Sequence, residues 1–255
     1  MIPSFFISHS WPMLALEQNR YTKFLEEVAG KYPLPKAIVI FTAHWENEVI
    51  TIGATDGAYE TIYDFHGFAP GLYTLKYPAK GSRTIASKVK AALEQKGFEV
   101  QLDEQRGIDH GAWIILKRMF PSADIPVIPV SVNPFLPPKQ QLEIGQALSS
   151  FGNEDIMVIG SGAIAHQFGF GMDPKVVKQK SMEFETWIIE AIERRDIQGL
   201  LDYTKLAPHS SFAVPRPEHF VPLLIAYGSG SSKAEPVTLY REQSAEWFGR
   251  VAMQF

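Results

Sequence analysis

The runs AIVIF (Ala37–Phe41) and IMVI (Ile156–Ile159) are apolar at every position, not at every second one. A strand written this way has no face to show to water, so it must be covered on both sides. Helices that can supply the cover are legible between the strands. Ser82–Lys96 keeps Ile85, Val89, Ala92 and Leu93 at helical spacing, and Leu14–Val28, Pro137–Phe151 and Val176–Arg195 read as helices too. A shorter helix is expected over Glu218–Tyr227, just after Pro217. Further strands are expected at Ile2–Ile7, Val49–Ala54, Val127–Ser131 and Glu235–Arg241. This alternation predicts an α/β fold: a central, mostly parallel or mixed sheet with helices on both faces. The chain has 255 residues, without internal repeat or low-complexity linker, so residues 1–255 are expected to form a single domain. GSGSS at Gly228–Ser232 reads as a flexible loop. Tyr59–Ser82, rich in Tyr, Phe, Gly and Pro, reads as a long ordered loop, and loops of that length are often functional.

Composition narrows the function classes. Hydrophobic residues make up 45% and charged residues 20%, which argues against disorder. The formal net charge of -4 gives no basic footprint, so nucleic acid is not expected as a partner. MIPSFFISHSWP lacks the basic start of a signal peptide, and no apolar run approaches the roughly 18 residues of a membrane span. The expectation is a cytoplasmic protein. There is no cysteine, so a metal would be held by His, Asp, Glu or water.

The histidines carry the chemical signal. SFFIS ends at His9, IVIFTA at His44, and IMVIGSGAIA leads through Gly160 and Gly162 to His166. Ligands in open α/β sheets bind outside the carboxyl ends of the strands. If these strands are parallel neighbours, three imidazoles meet at one edge, with His219 of RPEHFVPLL at a helix start nearby. One strand-end histidine is usually structural. Three together point to metal, because neutral imidazole is the commonest metal ligand. Asp109-His110-Gly111 precedes an apolar helical stretch: His110 is either an acid/base group tuned by its carboxylate neighbour or a solvated residue beside a capping Asp109. The glycines of GSGAIAH lack a nucleotide fingerprint and read as sites of close backbone approach near a ligand. His66 and His209 have no comparable context.

The segments FFISHSWPMLALE, FTAHWE, YDFHGFAPGLYTLKYPAKGS, GIDHGAW, IPVIPVSVN, GSGAIAHQF and PRPEHFVPLLIAYG, in this order, resemble the extradiol ring-cleaving dioxygenases of the protocatechuate 4,5-dioxygenase β-subunit type, and among them the DOPA 4,5-dioxygenase-like group. The resemblance covers nearly the whole chain. It implies metal ligands at His9, His44 and His219. It makes His166 the histidine beside the metal, at times a fourth ligand, and the acid/base for the substrate hydroxyl. It gives His110 a part in binding or proton transfer. It implies Fe2+ for activity, with a catechol of DOPA type and O2 as substrates. Zn2+ binds imidazole sites more tightly than Fe2+ in the usual affinity order, so purified protein can carry it. A monomer or small homo-oligomer is expected. Spacing does not separate Glu218 from His219 as third ligand; the resemblance favours His219. Two positions depart from the family pattern. His9-Ser10-Trp11-Pro12 replaces His-Gly-Ser-Pro, so Trp11 is expected to limit substrate size, and Gln167 stands where Asn is usual. Tyr63, Phe65 and Phe68 suggest an aromatic lid. The competing readings are a zinc hydrolase on the same three histidines and a metal-binding protein without catalysis.

Overall fold

The computed structural model describes residues 1–255 except 168, 170 and 244–248. Its strands are β1 (Phe5–Ser8), β2 (Ala37–Glu46), β3 (Ile50–Gly53), β4 (Val100–Asp103), β5 (Val127–Val132), β6 (Ile156–Gly162), β7 (Val237–Gln243) and β8 (Gly249–Gln254). They form one mixed sheet in the order β4-β3-β5-β2-β6-β1-β8-β7. The centre is parallel: β2 pairs with β5 and β6, and β6 with β1. Antiparallel partners flank it, β3 beside β5 and β8 beside β1. The helices are α1 (Arg20–Val28), α2 (Arg83–Gln95), α3 (His110–Met119), α4 (Pro138–Ala147), α5 (Pro174–Glu193), α6 (Ile197–Leu201), α7 (Tyr203–Leu206), α8 (Ser210–Ala213) and α9 (Val221–Ser229).

The expected α/β sheet with two covered faces is what forms. Ile38 and Ile40 of β2 pack with Met157 and Ile159 of β6 beneath α1, α3 and the loop after β3. Val39 and Phe41 point the other way, into a core with Val158, α2, α4 and α9. This is the period-2 side-chain alternation of a strand, apolar on both faces. α5 and α9 complete the second face around Phe6 and Met253.

Several boundaries differ from the sequence reading. The predicted helix Leu14–Val28 is split: Pro12–Ala15 makes a 3-10 turn, and α1 starts only after Asn19, whose side chain accepts from the Thr22 backbone N–H in a capping box. The last predicted helix starts at Val221, three residues late, because Pro222 lacks an N–H and suits the first turn. Gly228 belongs to α9 and not to a flexible loop: a Cβ there would overlap the Leu142 carbonyl of α4. β4 and β8 were not anticipated. β4 is a short, mostly exposed edge strand, and β8 is defined by pairing with β1 from the far end of the chain.

Candidate metal centre

β1, β6 and β2 are adjacent and parallel, so their carboxyl ends open on one edge of the sheet. His9 follows β1, His44 lies near the carboxyl end of β2, and His166 follows β6. His219 arrives from the lead-in to α9. Its carbonyl accepts from the Ala163 N–H at 2.9 Å, which ties that lead-in to the end of β6. Gly160 and Gly162 permit this approach: a Cβ on either would overlap the Pro222 or the His219 carbonyl. The close approach read from these glycines is therefore to the protein's own backbone.

His9, His44 and His219 each offer a ring nitrogen, and these atoms lie within 4.8 Å of one another. Polar groups on the opposite side of each ring indicate where its proton sits. The Ser161 hydroxyl donates to the Gly111 carbonyl, so it accepts from His9 Nδ1–H at 3.0 Å. His44 Nδ1 faces the Asp64 carboxylate at 3.4 Å, and His219 Nδ1 faces the Glu218 carboxylate at 3.0 Å. All three protons belong on Nδ1, so all three Nε2 atoms carry lone pairs. The Nε2 atoms of His9 and His44 stand 3.1 Å apart. His219 Nε2 is buried without a hydrogen-bond partner among the described residues. Converging lone pairs in a buried place repel one another and cost desolvation unless a cation joins them, so this donor set fits one metal ion.

The rings are kept neutral. Burial, and then neighbouring histidines, hold His9 and His219 well below the usual imidazole range. Burial and the adjacent His110 bring His44 down to about 3. Burial brings His166 to about 4, against the pull of Glu218. Neutral imidazole is the form that binds metal and accepts protons.

His110 and His166 flank the three. Asp109 caps α3 as read from the sequence, accepting from the Ala112 N–H and from Thr42 Oγ1 at 2.6 Å. His110 is buried, however, and not solvated. Its ring lies 3.9 Å from that of His44, centroid to centroid. His166 stacks on His219 at 3.5 Å with 9° between the ring planes. Asp64, in the long loop, was missed by the sequence reading, since nothing periodic surrounds it. Burial raises its carboxyl, but hydrogen bonding from His110 outweighs that and draws it down to about 2.

The aromatic loop is a packed wall. Phe65 is buried edge-on to the His110 ring at 5.5 Å, and the Tyr63 hydroxyl donates to the Leu75 carbonyl. Phe68 meets Trp11 at 6.2 Å, and Trp11 Nε1 donates to Glu17 at 2.6 Å. Gln167 turns away toward Ser181 of α5. His66 and His209 stay exposed, and His209 pairs with Glu183.

Residues 3–252 match the family described as the catalytic LigB subunit of aromatic ring-opening dioxygenase. The chain belongs to this family. Its members open an aromatic ring with dioxygen, so the zinc-hydrolase and non-catalytic readings fall away for this extradiol dioxygenase. It is 39% identical over 240 residues to the 4,5-DOPA dioxygenase extradiol of Beta vulgaris, covering 91% of this chain and 89% of that protein. The Escherichia coli K12 protein of the same name is 32% identical over 248 residues, covering 93% and 88%. The crystal structure of an uncharacterized protein from Escherichia coli K12 superposes with a TM-score of 0.80 at 27% identity over both whole chains. No helix among the described residues of this dioxygenase is long and apolar enough to cross a membrane.

Proposed function

We propose that this dioxygenase opens the ring of a DOPA-like catechol, using Fe(II) held by His9, His44 and His219. The observation that carries the reading is the convergence of three Nε2 lone pairs from β1, β2 and the lead-in to α9. Glu218 Oε1 is engaged by His219 Nδ1 and its Oε2 faces Arg216, whereas a ring nitrogen of His219 lies within 4.8 Å of those of His9 and His44, which favours His219 as third ligand. The relatives' names supply the substrate class. A bound Fe(II) supplies open positions for the two catechol oxygens and dioxygen, together with the electron chemistry that oxygen insertion needs.

The protein groups supply proton handling and exclusion of water. His166, neutral at pH 7, takes a proton from a substrate hydroxyl and returns it later; such help typically contributes about 10²–10⁴-fold. His110 Nδ1–H donates a hydrogen bond to Asp64, so its Nε2 is the atom available to substrate. Phe65 and Trp113 close the side behind His110 with apolar surface. Trp11, fixed by Glu17, sets the width of the mouth.

The test is anaerobic loading with Fe(II), then oxygen uptake with a panel of catechols including DOPA, beside a zinc-loaded sample. The zinc control matters because zinc outcompetes Fe(II) in the usual affinity order. Uptake with a new visible chromophore in the iron sample alone supports the reading. A fully iron-loaded protein that consumes no oxygen with any catechol overturns it.

A further inference from the structure

The three candidate ligands do not stand alone. Two further clusters gather around them, His44 with Asp64 and His110, and His219 with Glu218 and His166. Each pairs one candidate ligand with one candidate acid/base histidine, and each is centred on one carboxylate. Asp64 Oδ2 lies 2.9 Å from His110 Nδ1 and 3.4 Å from His44 Nδ1. Glu218 Oε1 lies 3.0 Å from His219 Nδ1 and 3.8 Å from His166 Nδ1. The two bridges run in opposite senses. Asp64 holds the acid/base ring more closely than the ligand, whereas Glu218 holds the ligand more closely than the acid/base ring.

We infer that Asp64 and Glu218 are positioning residues with divided labour: Asp64 fixes the proton position of His110 for turnover, and Glu218 fixes that of His219 for metal binding. This rests on the ligand assignment proposed above. The chemistry of an amide shows why the carboxylates are required. Asp64 accepts twice from His110, with Oδ1 taking the backbone N–H and Oδ2 the Nδ1–H, both at 2.9 Å, and Oδ2 also lies 3.4 Å from His44 Nδ1. An asparagine has one acceptor oxygen. If that oxygen keeps the backbone N–H, the NH₂ group confronts the imidazole N–H groups, and the His110 proton must move to Nε2. In that form the nitrogen facing the substrate donates and no longer accepts. At Glu218, Arg216 Nε lies 3.6 Å from Oε2, so a glutamine keeping its oxygen toward Arg216 aims its NH₂ at His219 Nδ1 instead. His219 then carries its proton on Nε2 and loses the lone pair that a metal needs.

The experiment compares Asp64→Asn and Glu218→Gln by three readouts: zinc affinity by chelator competition, the nitrogen-15 spectrum of the zinc-loaded histidines, and kcat and KM of the iron-loaded enzyme. Glu218→Gln is expected to weaken zinc binding about 10–100-fold, the usual effect of losing a ligand's orienting partner. Asp64→Asn is expected to weaken it less, to shift the His110 signal from the Nδ1–H to the Nε2–H pattern, and to lower kcat about 10-fold or more with little change in KM. Equal losses of zinc affinity, or an unchanged His110 spectrum in Asp64→Asn, overturn the division of labour. The Asp64 side chain is 24% exposed, so its variant still decides the matter if Glu218→Gln does not fold. Zinc affinity and the histidine spectrum need no turnover. Failure of the proposed activity is thus distinguishable from failure of this inference.

Discussion

Ser161→Ala tests whether the proton on His9 is placed by its neighbour. His9 is 2% exposed, and the Ser161 hydroxyl is the acceptor for its Nδ1–H at 3.0 Å. Removing that hydroxyl leaves a buried N–H without an acceptor, a cost of about 1–3 kcal/mol. The ring can escape by moving its proton to Nε2, but this removes the lone pair aimed at His44 and His219. The expected result is a stability loss in that range and a metal affinity lower by about 10–100-fold, or about 1.4–2.8 kcal/mol. Ser131→Ala is the control. Ser131 is equally buried, on β5, and accepts from the Thr51 N–H at 2.8 Å, so its loss costs similar stability without touching an imidazole. Urea melts of the metal-free proteins and chelator competition measure the two quantities. If Ser161→Ala and Ser131→Ala lose the same stability and keep the same metal affinity, the serine is structural only, and the tautomer argument fails.

Three further outcomes are expected. His166→Ala should retain zinc while iron-loaded turnover drops about 10²–10⁴-fold; loss of the metal would instead make His166 a ligand. Ser10 holds φ +59°, where the related pattern has glycine, so Ser10→Gly should stabilise the fold by about 0.5–1 kcal/mol after glycine's entropy cost is deducted and raise the urea midpoint; a lower midpoint refutes stored strain there. The metal-free protein should lose stability on acidification. His44 near 3 and His166 near 4 both sit below the ordinary 6.5, so unfolding takes up protons. Their stabilising contribution is full above about 6.5 and falls as pH drops toward 4 and then 3, so equal urea midpoints at pH 7.5 and 5 would contradict it.

The sequence discloses what periodicity and strand chemistry can carry. Strands β2 and β6 are apolar on both faces, which makes them central and parallel, and the histidines closing β1, β2 and β6 therefore meet. What stays hidden depends on distant partners. Asp64 sits in a loop without period, and only folding brings it to the N-terminus of α3. Ser161 reads as a spacer between glycines, yet its hydroxyl orients His9. Glu218 and His219 are neighbours, so spacing cannot rank them; only folding brings a ring nitrogen of His219 within 4.8 Å of those of His9 and His44. Strand β8 is recognisable chiefly through its register with β1, Phe5 opposite Gln254.

That register has a consequence for how the protein is made. Strand β1, which leads into His9, lies between β6 and β8, with Phe5 opposite Ile159 on one side and Gln254 on the other. Both of its sheet partners are distant in sequence, and such contacts form slowly. The three imidazoles come together only once the segment bearing His219 has been synthesised. On the proposed ligand set, metal loading is thus a late event, following assembly of the sheet, and an ion that arrives early finds scattered histidines and no centre.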